Sequence, residues 1–420
     1  MEKNRIPLWF SLSDNTHDIV VDIMRNGPVS RSKLARDHRL SAGTLSKITS
    51  ELIYQKIIDE QKTPQEDRKN ADQEEGSKER IKKGIDYTEE LERQVARDGA
   101  NGRGRPQVGL MIHAESRTYI GINVHTFESV MMLTDAMCHP LTDPLIVSYT
   151  DTRPTAIVDA LSGGIRQLIQ KAEQAGLSKP SAVGITVGGH IVEDNTVTYA
   201  PFLRWNGPVK LGDMIQDRCQ IPTAIFNDLD SLLVYESWFG SGRGMQRFAL
   251  VTIGLGIGYA LCEGGQSVDY PDKSYGLAGH VLVDPDGPTC SAGHKGCSQC
   301  LTSPSLAMEY SQLMGQPMSF DDFAANVEAG KPIARHLIEN SCYRLGVLLS
   351  TIANMAMPEK ILIGGEAAHL ATTAMESIRT GITRYRHSQA QPVAFEILSY
   401  EWEQWALGGA SRVIALSILK

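Results

Sequence analysis

The chain has 420 residues, 42% hydrophobic and 21% charged, with a formal net charge of -8. That length exceeds one ordinary core and points to two or three folding units. The acidic balance excludes a protein that coats nucleic acid or anionic membrane with its whole surface, but it leaves room for a small DNA-reading patch.

The opening stretch Ile6-Pro-Leu-Trp-Phe-Ser-Leu12 is apolar but short, and Asp14 closes it. It lacks a small-residue cleavage site, and no run reaches the roughly 18 residues of a membrane span. We therefore expect a cytoplasmic chain without a membrane partner. Ile19, Val20, Ile23 and Met24 form one helical face, stopped by Asn26-Gly27-Pro28. Ser30 is placed to cap a second helix carrying Leu34. After the break His38-Arg39-Leu40, Ser41 is placed to cap a third, carrying Leu45, Ile48 and Leu52.

Two helices joined by a tight turn read as a helix-turn-helix over residues 1–60, the second helix offering its N-terminal side chains to the major groove. With Leu45, Ile48 and Leu52 facing inward, Thr44, Ser46, Lys47 and Ser50 face outward, behind Ser41. These short polar groups and one cation suit phosphate and base-edge contacts. Arg31 and Lys33, with Arg36 and Arg39, add a basic flank for the backbone.

About half of residues 61–101 are charged with both signs mixed, so this segment reads as an insertion or linker with little to bury. Gly102-Arg-Gly-Arg-Pro106 follows. Glycine and proline keep such a strip narrow, and Arg103 and Arg105 on it suit the minor groove of A·T-rich DNA. We read residues 102–114 as a basic wing.

From residue 115 to 420 the pattern is α/β. The strand-like runs Tyr119–Ile122, Ala182–Val187, Phe248–Ile253 and Ile361–Ile363 alternate with helical stretches, and glycines follow several of them. Seven cysteines, three of them between Cys290 and Cys300, look like reduced thiols plus a metal site rather than a disulfide framework.

The ordered set of motifs resembles the ROK family of repressors, open reading frames and sugar kinases. Its carriers are Asn227-Asp228, Thr252-Ile-Gly-Leu-Gly-Ile-Gly258, Gly279-His280-Val-Leu-Val-Asp-Pro-Asp-Gly287, Cys290-Ser-Ala-Gly-His-Lys-Gly-Cys297 and Ile363-Gly-Gly365. Gly27–Ala35 and Leu40–Ser46 resemble the winged helix of the repressor branch. The resemblance implies an α/β fold: an N-terminal winged helix-turn-helix followed by a two-lobed, actin-like (ribonuclease-H-like) sugar-kinase-type domain. It also implies a homodimer or higher homo-oligomer bound to double-stranded operator DNA.

The departures from the family pattern argue against a kinase. Where the kinases carry an Asp-Gly-Gly-Thr-like phosphate loop, this chain has Asn123-Val-His-Thr126. The acid has become an amide and the glycines are gone. Asp228 stands at the kinases' catalytic base, from which it can still accept a sugar hydroxyl's hydrogen bond. The family's two sugar-contacting glutamates are Leu277 and Gln299 here. Gly188, Gly189, Asn227, Asp228, His280 and Gln299 remain as candidate contacts to a sugar or sugar-phosphate effector.

The family's structural zinc takes one His and three Cys. The middle cysteine is Ala292 here, so His280, Cys290 and Cys297 keep their places, with Cys300 as candidate fourth ligand and His294 as the alternative. The expected function is a repressor of carbohydrate-utilisation genes and not an enzyme. The alternative is a DNA-binding regulator whose kinase-like body dimerises and answers to a partner protein.

Overall fold

The computed structural model describes residues 6–10, 13–62, 108–192, 195–205, 207–270, 272, 275–399 and 402–419. The chain divides into two units. One holds residues 8–116 with 417–420, and the other holds Ile6, Pro7 and residues 117–416.

In the first unit, helix α1 (Asp14–Asn26) is capped by Ser13, whose side chain accepts the Thr16 N–H. Its apolar stripe Ile19, Val20, Ile23 and Met24 is buried. Strand β1 (Val29–Ser30) leads into α2 (Arg31–Asp37), whose N-cap Ser30 accepts the Lys33 N–H. Ser41 does the same for α3 (Ala42–Tyr54) through the Thr44 N–H. Each cap satisfies one of the orphan amides of a first helical turn and fixes where the helix starts. His38, at the end of α2, reaches back 2.8 Å to Asp22 of α1. The last residues of the chain join this unit, with His17 Nδ1 2.7 Å from the Ile418 carbonyl oxygen.

Strands β2 (Ile58–Lys62) and β3 (Val108–Ile112) complete an antiparallel sheet in the order β1-β3-β2. Leu110 pairs with Val29, and Val108 pairs with Lys62. β2 therefore runs past the start we expected for the linker at residue 61. β3 is an apolar sheet strand inside the stretch read as a basic wing. Lys62 and Val108, the described residues on either side of 63–107, pair with each other. Arg103 and Arg105 lie outside the described residues.

The second unit has two α/β lobes. The first is built on β4 (Thr118–Val124), β5 (Glu128–Asp135), β6 (Leu145–Ser148), β7 (Val183–Val187) and, beyond the small hairpin β8 (His190–Val192) and β9 (Thr196–Tyr199), β10 (Thr223–Asn227). The order is β10-β7-β4-β5-β6, with β10, β7 and β4 parallel. Helices α4 (Pro154–Gln174) and α5 (Leu211–Cys219) bury Leu161, Ile165, Leu168 and Ile215 with Ile120, Ile122 and Ile185.

The second lobe has β11 (Arg247–Ile253), β12 (Ile257–Glu263), β13 (Gln266–Ser267), β14 (Lys360–Gly364) and β15 (Phe395–Ile397), in the order β13-β12-β11-β14-β15. β11 is buried on both faces. Ala249, Val251 and Ile253 join the core with the long helix α9 (Pro332–Ala356) and with α7 (Ser303–Met314), α8 (Phe320–Glu328) and α10 (Met375–Arg384). Phe248 and Leu250 face Leu232 and Leu233 of α6 (Asp228–Trp238). This period-2 alternation between two apolar faces is why the strand reads as a continuous hydrophobic run.

The last helix, α11 (Trp402–Ile418), lies flat on the first lobe's sheet. A Cβ on Gly121 would come within 2.0 Å of the Ala406 carbonyl, and one on Gly184 within 1.9 Å of the Gly409 carbonyl. Glycine on both partners lets helix and sheet meet backbone to backbone.

Candidate ligand cleft, metal site and DNA-reading face

The α3 face develops as its sequence pattern requires. Leu45 and Leu52 are buried at 1% exposure, and Thr44, Ser46, Lys47 and Ser50 are exposed on the opposite side, behind the exposed cap Ser41. Lys33 is exposed as well. Arg31 differs from the free flanking cation we expected. Its guanidinium bonds Glu60 of β2 at 2.7 Å and the Thr49 hydroxyl at 3.1 Å, so it ties α2 to α3 and the sheet.

A cavity of about 360 Å³ opens in the second unit, between the C-terminal ends of β4, β7 and β10 and the glycine turn after β11. Ligands of open α/β sheets gather at such strand ends. Gly188, Gly189, Asn227 and Asp228 line it, as the sequence predicts. His280 and Gln299 do not. Gln299 packs behind Gly279, where a Cβ would come within 2.5 Å of its Nε2. His280 turns away, toward the cysteine loop.

Asn227 is already occupied. Its Nδ2 donates to the Gly189 carbonyl at 2.9 Å, and its Oδ1 accepts the Asp230 N–H at 3.1 Å as the N-cap of α6. It therefore holds the β7 turn and aims Asp228. Asp228 accepts the Leu229 N–H at 2.7 Å. Burial pushes its carboxyl up to about 6, against that hydrogen bond, which lowers it. Asn123, at the expected first phosphate loop, is buried and donates to the Thr186 hydroxyl at 3.0 Å. Its Nδ2 is thus spent inside the sheet, although Asn123 still lines the cleft. His125 beside it packs on Trp402 at 4.4 Å, and burial lowers its pKa.

Sequence reasoning missed two groups in this cleft. One is Glu366, after β14, whose carboxylate reaches the glycine turn 111 residues away. The other is an aromatic wall of Tyr199, Phe202, Tyr259, Tyr275, Trp402 and Trp405. The Gly-Gly before Glu366 was the available signal for the first. Trp402 and Trp405 lie on a helix far along the chain, and nothing local assigns them.

Away from the cleft, His280, Cys290, His294 and Cys297 bring one ligand atom each to within 4.8 Å of one another. The Nδ1 atoms of His280 and His294 are 3.0 Å apart. The Cys290 and Cys297 sulfurs lie 3.9 and 4.0 Å from His280 Nδ1. Tetrahedral zinc at Zn–S of about 2.3 Å and Zn–N of about 2.0 Å needs edges of roughly 3.3–3.8 Å, so the four donors fit it with small shifts.

The fourth member of this cluster is His294, the alternative in the sequence reading, and Cys300, its first candidate, lies outside the cluster. The Cys290 N–H bonds the His294 carbonyl at 2.9 Å, and that tight turn brings both side chains to His280. Cys300 ends up inside, at 3% exposure among Val283, Leu301 and Leu306, because the 3-10 turn Ser298–Leu301 faces it into the core. Burial pushes its thiol up to about 12.

The ROK family sequence pattern matches residues 119–414. The chain is 25% identical over 407 residues to the DNA-binding transcriptional repressor Mlc of Escherichia coli (strain K12), an alignment spanning 93% of this chain and 89% of that protein. It is 21% identical over 373 residues to the xylose repressor of Bacillus subtilis (strain 168), spanning 88% and 87%. Among solved structures, a ROK family transcriptional regulator described as a homolog of E. coli MLC protein superposes with a TM-score of 0.70 at 22% identity, over 96% of either chain. With the two-lobed α/β body, its cleft at the strand ends and a profile match over well more than half its length, the chain belongs to the ROK family.

Proposed function

We propose that the chain is a DNA-binding transcriptional repressor of carbohydrate-utilisation genes whose operator affinity is set by a sugar bound in the cleft of its kinase-like body. The observation that carries this reading is α3: a polar face of Thr44, Ser46, Lys47 and Ser50 set against a buried Leu45–Leu52 seam. It occurs in a chain whose full-length relatives are named as repressors. The first unit acts as a winged helix-turn-helix. α3 enters the major groove, and Arg103 and Arg105 supply minor-groove contacts. Two copies in a homodimer read an inverted repeat.

In the cleft, Asp228 accepts a sugar hydroxyl and Asn227 positions it, while the aromatic wall covers the ring's apolar faces. A structural zinc on His280, Cys290, His294 and Cys297 would tie down the loop that follows Leu277. The amide at 123, spent on Thr186, is a poor start for phosphoryl transfer, so the body senses rather than phosphorylates.

α11 gives a covalent route from ligand to DNA. It carries Trp402 and Trp405 in the cleft wall, and its last residues group with the first unit. A coupling of about 1–3 kcal/mol along it changes operator affinity roughly 5- to 150-fold.

The test is operator titration with and without D-xylose, D-glucose and N-acetylglucosamine, on wild type and Asp228→Asn. The expected result is a sugar-dependent shift that Asp228→Asn abolishes while sugar-free DNA binding stays intact. A variant that still responds in full would remove the cleft as sensor and favour control by a partner protein.

A further inference from the structure

The glycine turn after β11 is shaped as an anion cradle, because turns with exposed backbone N–H groups attract phosphate. Here part of the cradle is filled from within. The Leu255 N–H donates to Glu366 Oε1 at 2.8 Å. The carboxylate lies so close to the turn that a Cβ on Gly254 would fall 2.2 Å from Oε2. The Gly254 N–H is taken by the Gly256 carbonyl at 3.0 Å. Thus two of the donors that would meet a phosphate, the Leu255 and Gly254 N–H groups, meet a carboxylate and a backbone oxygen of the chain itself.

The surroundings have the same bias. Among the described residues lining the cleft there is no lysine or arginine. Its carboxyls are Asp228 and Glu366, and its histidine, His125, is held toward the neutral form by burial. Most of the remaining wall is aromatic, aliphatic or glycine. A phosphate ester entering this cleft would meet like charge and, among the described residues lining it, no lysine or arginine. An uncharged polyol would meet two carboxylate acceptors and flat apolar rings.

We infer that the cleft selects an uncharged, unphosphorylated sugar, and that the Glu366 carboxylate is the built-in anion that excludes phosphate from the glycine turn. The inference rests on the sugar-sensing reading and narrows it to one of two ligand classes. It also gives Gly254 a role without a nucleotide to bind: its missing Cβ makes room for the Glu366 side chain.

The experiment is a calorimetric and thermal-shift comparison on the full chain. The probes are D-glucose, D-xylose and N-acetylglucosamine, the 6-phosphates of glucose and N-acetylglucosamine, and inorganic tripolyphosphate. Wild type should bind at least one neutral sugar, bind the matching 6-phosphate about 100-fold more weakly, and ignore tripolyphosphate. Glu366→Gln keeps the shape and the acceptor for Leu255 but removes the charge. It should narrow the neutral-to-phosphate gap at least tenfold and acquire tripolyphosphate binding, with an unchanged melting profile showing that it folds.

A 6-phosphate that binds wild type more tightly than its parent sugar overturns the inference while leaving the sugar reading standing. So does a gap that Glu366→Gln leaves unchanged. Failure of every sugar and phosphate to bind, with operator binding intact, overturns the sugar reading and this inference with it.

Discussion

The backbone contact between α11 and the first lobe's sheet makes a quantitative prediction for Gly184→Ala. The added Cβ would sit 1.9 Å from the Gly409 carbonyl oxygen. Ordinary contact needs roughly 3.5 Å, so helix and sheet must part by about 1.6 Å. Neither side can yield by rotating a side chain, since both partners are backbone. A gap of 0.5–1 Å already forfeits about a quarter to a half of each contact's dispersion attraction, and α11 buries Ala406, Ala410, Val413 and Ile414 completely. We expect a cost of about 3 kcal/mol, the top of the usual overpacking range. That lowers the body's melting temperature by about 6–12 °C. Sugar affinity should fall too, because the displaced helix carries Trp402 and Trp405.

The control is Gly163→Ala on α4, where a Cβ meets nothing within 4 Å. It should stabilise by about 0.5–1 kcal/mol through helix propensity. Calorimetric melting of both variants decides the matter. If the two substitutions behave alike, or if Gly184→Ala melts within a degree of wild type, the close packing of α11 is wrong.

Purified protein should hold about one zinc per chain by metal analysis, from the four-donor count. His294→Ala, Cys290→Ser and Cys297→Ser should each release it. Cys300→Ser should retain it, and zinc loss in that variant would restore the cysteine as ligand. Burial pushes the Asp228 carboxyl up to about 6, and its ionised form is the stronger acceptor of a sugar hydroxyl. Sugar affinity should therefore be full above about pH 7 and fall, by up to about tenfold per pH unit, below 6. The same raised pKa means the folded state keeps a proton that the unfolded chain sheds. Its stabilising contribution is whole below about pH 4 and is lost as pH rises through 6, so Asp228→Asn should gain relative stability at pH 7.5 but not at pH 4 in parallel melts. On DNA, Lys33→Ala or Lys47→Ala should lower the salt slope of operator binding by about 1 each. Arg31→Ala should lower it less and cost up to about 1 kcal/mol of stability, since its side chain, 32% exposed, is bound to Glu60. Equal slopes for Arg31 and Lys33 variants would show that the Glu60 pair opens on DNA.

What the sequence determined by itself is what short-range physics decides. Ser30 and Ser41 cap their helices because a side chain in the right place meets an amide three residues on. The outward face of α3 follows from a 3.6-residue period. The strands β4, β7, β11 and β14 appear as apolar runs because both faces of each sheet are covered. Asn123 and Leu277 mark departures from a kinase through their chemistry alone. Tertiary structure decided which distant segments meet. A Cys-x2-Cys pair looks the same whether both sulfurs converge or, as at Cys297 and Cys300, a 3-10 turn sends one into the core. His294 gains its place from a tight turn that no spacing rule specifies. β3 finds β1 and β2 across long stretches of chain, and Glu366 finds Leu255 across 111 residues. Such pairings are set by the burial of whole elements against one another, a sum over many weak contacts that no single position in the sequence carries.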